Sequence, residues 1–263
     1  PPMHRWLTGS SHAPLPALVS LQALTVLPAG GVGVLKVAAF VFGPALAEAA
    51  LARNALIALA GAGMCVAALA ALSRQDVRER LSYSCLVQAL AVIVGALLAS
   101  PVGFFAAALQ IAALSCSAAT LTMAVGSIAA ITGRTQVGEY PGLGRLMPWT
   151  LAGFALACAS MIGLPPFAGA WAKLWLIAAS AGAGLIWAAV IIGLAATLTF
   201  AHLGPLAASA LAAPAPTDAQ RRPDGASLLL AGPVILGAIA TLWLLTVADN
   251  LATFLAPIWT PTQ

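Results

Sequence analysis

The sequence predicts an all-α, multi-pass membrane protein with about eight transmembrane helices. Of its 263 residues, 62% are hydrophobic and only 7% are charged, whereas a soluble domain needs about 25% charged residues to cover its water-facing surface. Several uncharged runs reach the roughly 20 residues that a helix needs to cross a hydrocarbon core about 30 Å thick. We therefore treat residues 1–263 as a single transmembrane domain.

Short polar segments divide the chain into eight apolar stretches, each a predicted helix. In order, these are 15–42, 54–72, 81–99, 102–131, 148–161, 167–181, 185–213 and 227–247. Residues 43–53 and 132–147 are predicted loops, and 251–263 are predicted to form a tail.

Prolines interrupt two of these regions, because a proline has no backbone N–H and kinks or ends a helix. Pro28 lies inside the first stretch, and Pro165 and Pro166 separate the fifth stretch from the sixth. The Gly-Leu-Pro-Pro pattern at 163–166 predicts a break within a membrane helix.

Positively charged residues predict how the helices are oriented. Counted on alternating sides, Arg5, Arg134, Arg145 and the three arginines of segment 73–80 share one side, and three other arginines share the opposite side. Because cytoplasmic loops carry more Lys and Arg, the N-terminus and segment 73–80 are expected in the cytoplasm.

Lys173 is the first candidate functional residue. It follows the proline break, the interval 147–172 before it is uncharged, and no charge follows until Asp218. An ammonium group inside a membrane costs about 2.5–3.5 kcal/mol on insertion scales and is retained only where it is paired or used. Lys173 is therefore a candidate proton-relay group; the alternative is a lysine that reaches to the lipid headgroups.

Two other basic residues are weaker candidates for the relay. Lys36 lies near the end of its predicted helix, where reaching to the headgroups is the competing explanation. His202 has an imidazole suited to proton exchange, but a lone histidine in a span also serves simply to bind a neighbouring carbonyl.

Neutral polar side chains in the spans are candidates for a hydrated path. They are Gln22, Gln88, Gln110, Ser115 and Thr122. The alternative is structural, since buried amides join helices and hydroxyls bond to carbonyls of their own helix.

No cofactor or metal is expected. The four cysteines lie singly in apolar stretches, and the three histidines have no metal-ligand spacing. The sequence therefore implies no redox centre in this chain, and a net charge of +4 is too small to indicate a nucleic-acid surface.

Four motifs in order resemble the antiporter-like, proton-conducting membrane subunits of complex I (NADH–quinone oxidoreductase), Mrp-type antiporters and membrane-bound hydrogenases. The motifs are PPMHRWLTGSSHAP, DVRERLSYSCLVQ, GEYPGLGRLMP and GLPPFAGAWAKLWLI. HAP and AWAKLWLIAASAGAG most resemble the branch that comprises the D-type component of Mrp antiporters and the B-type component of hydrogenase-4.

This resemblance implies the C-terminal part of a fourteen-helix fold built from two inverted five-helix repeats, each with a broken helix. The N-terminal part is then expected to precede Pro1. Lys173 falls where the family carries the Lys or Glu of the second broken helix, part of a row of protonatable side chains.

The chain departs from that pattern at several positions. Leu114 and Ala118 stand where the family usually has a His and a Lys, Pro28 where many members have a Lys, and Gln22 where some have a His. The resemblance therefore implies a row that has lost several of its polar members.

These observations predict a proton-translocating subunit of a complex I-like NADH–quinone oxidoreductase or an Mrp-type cation/proton antiporter. It would move protons (or Na⁺) through buried lysines and water, with other membrane subunits and the lipid bilayer as partners, in a bacterial inner membrane. One alternative is a structural antiporter-like subunit with a degenerate proton path; another is a stand-alone secondary transporter.

Overall fold

The structure is a computed structural model that describes residues 13–14, 18, 23–214 and 224–259. Within those ranges all eight predicted stretches contain helix, no strand is present, and one isolated antiparallel bridge joins Asp76 and Gln136. The all-α fold class is therefore confirmed.

The helices are numbered in chain order. They are α1 (Val26–Lys36, continued by a π-helical segment Val37–Phe42), α2 (Pro44–Glu48), α3 (Ala50–Leu72), α4 (Val77–Leu97), α5 (Pro101–Thr132), α6 (Pro148–Ile162), α7 (Ala168–Gly182), α8 (Ile186–Ala212) and α9 (Asp224–Trp259). By length and composition, α3, α4, α5 and α8 can each cross a membrane, and α6 and parts of α1 and α9 are shorter apolar helices.

One predicted loop and the predicted tail are wrong. Within segment 43–53, residues Pro44–Glu48 form α2, and α3 already begins at Ala50. Near the end of the chain, α9 continues to Trp259 instead of giving way to a tail at Leu251. In both places polar residues marked the end of an apolar run, but an apolar boundary is not a helix boundary, because polar residues also form helices outside lipid.

Pro28 lies in the first turn of α1. Ala29 donates its backbone N–H to Thr25 O at 2.8 Å, and the α-helix begins at Val26. Proline is tolerated there because the first-turn N–H groups have no helical partner.

Helix α5 lies at the centre of the fold. It packs against α1, α4, α6, α7 and α9, and its buried residues lie on all sides of the helix. A helix that is apolar all round is expected in the interior of a membrane protein.

Two large apolar clusters surround α5. The α5–α6 cluster contains Leu114, Leu121, Leu151, Phe154 and Leu203, with further neighbours. The α3–α4 cluster contains Ile57, Met64, Val87, Val94, Ala106 and Leu176, with further neighbours. Buried polar groups between these clusters must find partners inside the protein or in water.

The proline break separates α6 from α7. Helix α6 ends at Ile162 and is capped by Gly163, whose φ of +95° is a left-handed conformation suited to glycine. Pro165 and Pro166 follow, joined by a cis peptide bond, and α7 begins at Ala168. Both helices pack against α5 and α8, so the break lies inside the helix bundle.

The segments preceding α4 and following α5 lie together. Val77 N donates to Thr135 O at 3.0 Å, and Val137 N donates to Gln75 O at 2.8 Å. The prediction that the arginines of segments 73–80 and 132–147 share one side of the membrane agrees with this contact.

Gly169 allows α6 and α7 to approach closely. A Cβ atom at Gly169 would overlap Ser160 O, so Gly169→Ala should lower the free energy of unfolding by about 1–3 kcal/mol through overpacking. Thermal unfolding of the purified full-length protein in detergent measures this. Gly193→Ala in α8, where a Cβ meets nothing within 4 Å, is the control; equal effects of the two changes would contradict the packing argument.

Glu139 stabilises the segment after α5. Its exposed carboxylate accepts the N–H groups of Gln136 and Thr135 at 2.9 and 3.0 Å, and these bonds lower its pKa. Since the folded-state pKa is depressed, the stabilisation is present above the ordinary pKa of 4.5 and is lost as pH falls through the lower folded value. Melting curves should show Glu139→Gln less stable than wild type at neutral pH. The two should converge in acid, and a constant difference would contradict this account.

Candidate functional site: a buried lysine at a broken helix

Lys173 lies inside the protein, bound to the end of α6. Its side chain is 7% exposed, and Nζ donates to Met161 O at 2.8 Å. The last carbonyls of a helix have no helical donor, and at this end Gly163 N and Leu164 N both return to Ala159 O. Met161 O is therefore free to bind a side chain.

The amino group of Lys173 contacts a backbone carbonyl and not a carboxylate. Among the residues that the structure describes, no carboxylate forms an ion pair with it. The carbonyls at the C-terminus of α6 carry the negative end of the helix dipole, which favours a cation at that position. Because the ammonium is held by a neutral carbonyl, releasing its proton leaves no unpaired negative charge behind.

Gln88 binds the same carbonyl from α4. Its Nε2 donates to Met161 O at 3.0 Å, and its Oε1 accepts from Gln110 Nε2 of α5 at 2.8 Å. Both amides are buried, at 1% and 2% exposure. The break in α6 thus gathers one side chain each from α4 and α7, and a second amide from α5 through Gln88.

Two serines extend this polar group on its α5 side. Ser117 Oγ donates to Ser160 Oγ at 2.9 Å, and both residues are buried. Ser160 directly precedes Met161, so this contact lies beside the carbonyl that binds Lys173.

A second polar group surrounds His202 on α8, a buried residue. His202 Nδ1 lies 2.8 Å from Leu198 O, and Nε2 lies 2.8 Å from Ser84 Oγ. Since a carbonyl only accepts, Nδ1 carries a proton. In the neutral ring Ser84 donates to Nε2; in the charged ring Nε2 donates to Ser84 Oγ, whose hydroxyl then donates to Arg80 O at 3.0 Å. Both protonation states are fully hydrogen-bonded.

Arg80 fixes this region with four hydrogen bonds to carbonyls. Nη1 donates to His202 O at 3.0 Å, Nη2 to Leu72 O at 3.3 Å and Arg74 O at 2.8 Å, and Nε to Arg74 O at 3.2 Å. The guanidinium therefore ties α4 to the end of α3 and to α8. The side chain of Arg80 is buried at 8% exposure, although the residue belongs to the charged segment 73–80.

One face of α4 joins the two groups. Arg80, Ser84 and Gln88 follow each other at four-residue intervals, so they share a face at steps of about 6 Å along the axis. This face forms a polar row that leads from His202 to the carbonyl that binds Lys173.

The structure does not bring every candidate into this row. Lys36 is exposed at the end of α1. Ser115 donates to Ile111 O, and Thr122 to Ala118 O and Ala119 O, all within their own helix. Gln22 lies outside the described residues.

Sequence reasoning missed Arg80, Ser84 and the Met161 carbonyl. The four-residue spacing of Arg80, Ser84 and Gln88 was readable from the sequence, but Arg80 was counted there only with the charged segment 73–80. No residue type in the sequence marks a backbone carbonyl as a binding group. The one indication is the proline break, which leaves the carbonyl without a helical donor.

Fold and site together define a multi-pass helical membrane protein with a basic side chain at a break in a membrane helix. The chain belongs to the NADH:quinone oxidoreductase/Mrp antiporter transmembrane family, whose model matches residues 1–199.

Relatives and solved structures agree with this family. The chain is 26% identical over 193 residues to NADH-quinone oxidoreductase subunit N of Desulforudis audaxviator, covering 73% of this chain and 38% of the relative. It is 25% identical over 264 residues to subunit L of Mycobacterium tuberculosis, covering 98% and 41%. It therefore spans about two fifths of the length of these relatives.

Two solved complexes contain a chain with the same fold. One is the Mrp complex from Dietzia sp. DQ12-45-1b, with a TM-score of 0.86 and 22% identity over 99% of this chain and 57% of that one. The other is respiratory complex I from Thermus thermophilus, with a TM-score of 0.75 and 21% identity over 97% and 55%.

Arg80 should matter for stability more than an exposed arginine does. Arg80→Met keeps the apolar stem but removes all four hydrogen bonds, so we expect the free energy of unfolding to fall by about 2 kcal/mol, as for lost hydrogen bonds to a charged group. Arg145→Met, at an exposed position, is the control and should change it by less than about 0.5 kcal/mol. Chemical unfolding in detergent measures both, and similar losses would contradict the buried contacts.

Proposed function

We propose that this chain is part of a proton-translocating membrane subunit and that Lys173 is one of the groups that carry the proton. The observation that carries the proposal is the buried Lys173 ammonium, bound to the carbonyl of Met161 with no carboxylate partner among the described residues. Such a group can exist charged or neutral, since its partner is neutral in either state.

The route that we propose runs along the polar row of α4. A proton enters or leaves at the His202–Ser84 pair, whose hydrogen bonds suit both charge states of the ring. It passes Gln88 and reaches Lys173 at the break. Water between these groups would complete the steps of about 6 Å that side chains alone cannot bridge.

The relatives favour a place in a larger assembly. They are named as subunits of NADH-quinone oxidoreductase, and one structural neighbour belongs to an Mrp complex. We propose that the chain likewise works beside other membrane subunits of a complex I-like oxidoreductase or an Mrp-type antiporter in a bacterial inner membrane. Electron transfer would then occur in other subunits.

One observation favours a second candidate function, that of a structural subunit with a degenerate path. Leu114 and Ala118 are buried in the α5–α6 cluster, at 2% and 1% exposure. This face of α5 therefore offers no titratable group at either position, and the test of Lys173 also decides between the two functions.

Lys173→Met in the full-length protein, purified in its complex and reconstituted in vesicles, tests the proposal. Methionine keeps the length and apolar character of the stem but cannot carry a proton. We expect proton flux to fall roughly 100-fold, the lower end of what a positioned proton-transfer group contributes. A pH-sensitive dye inside the vesicles measures the flux.

The control is Thr199→Val, a nearly isosteric change at a buried hydroxyl that donates to Ala195 O of its own helix. It should leave the flux unchanged. Wild-type flux in Lys173→Met, with normal assembly of the complex, would refute the relay and favour the structural subunit.

A further inference from the structure

The hydrogen bonds around Met161 O fix the orientation of both buried amides. A carbonyl only accepts, so Gln88 must present Nε2 to Met161 O, at 3.0 Å. This turns Gln88 Oε1 towards Gln110, which must then present Nε2, at 2.8 Å. Rotating either amide by half a turn would oppose two acceptors or two donors.

The chain of bonds therefore ends at the oxygen of Gln110. Among the described residues, no group donates to Gln110 Oε1, although the side chain is only 2% exposed. A buried oxygen without a donor bears its full desolvation penalty, and more than nine in ten buried polar groups avoid this with a protein or water partner.

The described residues on the same face of α5 provide no such partner. Gln110 lies between Ala106, which belongs to the α3–α4 cluster, and Leu114, which belongs to the α5–α6 cluster. These residues share one face of α5 at four-residue intervals, and Ala118 continues it. These three side chains are apolar, so none of them donates to Gln110 Oε1.

Lys173 has more hydrogen-bond donors than it has acceptors among the described residues. An ammonium group has three N–H donors, and among the described residues Met161 O is its one acceptor. A small neutral molecule that both donates and accepts matches Gln110 Oε1 and Lys173, which are already connected through Gln88 and Met161 O.

We infer that Gln110 Oε1 binds an internal water molecule and that this water extends the polar network of Lys173 onto the face of α5. The water donates one hydrogen to Gln110 Oε1 and keeps its lone pairs free to accept a proton. Its part in proton transfer rests on the proposed function, whereas its binding does not.

A structure of the full-length protein in its complex, at a resolution that shows ordered water, tests the binding. We expect density for water about 2.8–3.0 Å from Gln110 Oε1, and its loss in Gln110→Met, whose side chain has nearly the same shape but no amide. A side-chain or backbone donor on Gln110 Oε1 in place of water would overturn the inference, as would an Oε1 without any neighbour.

Proton flux in vesicles tests the role of this water. Gln110→Met should reduce flux about tenfold, the effect of one lost hydrogen bond in the path. Gln110→Glu should restore much of it, because a protonated carboxyl can donate to Gln88 Oε1 and still offer an oxygen to water. Ser180→Ala, a buried hydroxyl bonded to Leu176 O of its own helix, is the matched control and should keep wild-type flux.

The outcomes separate the two proposals. Water density with unchanged flux in Gln110→Met would overturn the role of the water in transfer, whatever Lys173→Met does. Water density with unchanged flux in Lys173→Met would refute the proposed function while supporting the binding site. Loss of both the density and the flux in Gln110→Met supports the whole inference.

Discussion

The end of α6 inside the helix bundle is the constraint on which the rest of the site depends. A helix that stops within a membrane leaves carbonyls without donors, and lipid cannot supply them. Here Met161 O is satisfied by two side chains, Lys173 from α7 and Gln88 from α4. The same bond solves a second problem, because a buried ammonium also needs an acceptor. The lysine supplies a donor to the free carbonyl, and the carbonyl supplies an acceptor to the buried amino group. We therefore treat the break and Lys173 as one feature.

The polar row along α4 connects the end of α6 with the surroundings of His202 on α8. Ser84 and Gln88 stand one turn apart, so the environment of His202 and that of Lys173 are connected through a single rigid helix. Arg80 holds that helix against the end of α3 and against α8 by bonds to three carbonyl groups. The Gln110 amide, through Gln88, and the Ser117–Ser160 pair connect this zone to α5. Apolar clusters on both sides confine the buried polar groups to this zone.

Much of this could be predicted from the sequence, because the membrane imposes strong rules on composition. Apolar runs of sufficient length located the helices, and the proline pair located the break. Lys173 was identifiable because a charge in such a run is costly. The predictions at Pro44–Glu48 and beyond Leu251 were wrong because polar residues there end an apolar run but do not end a helix. The contacts of Arg80 could not be predicted, because a sequence shows the charges of neighbours and not the direction in which a side chain turns. The carbonyl of Met161 carries no side-chain signal at all, so its role emerges only when α4 and α7 are placed around it.

The most direct measurement of the central claim is a double-mutant cycle between Lys173 and Gln88. The free energy of unfolding of the full-length protein would be measured for Lys173→Met, Gln88→Met and the pair. Since both side chains bind one carbonyl, the first loss leaves Met161 O one donor and the second leaves it none. We expect a coupling energy of about 1 kcal/mol between the two changes. Additivity within about 0.3 kcal/mol, as for distant and independent sites, would contradict the claim that Met161 O joins them.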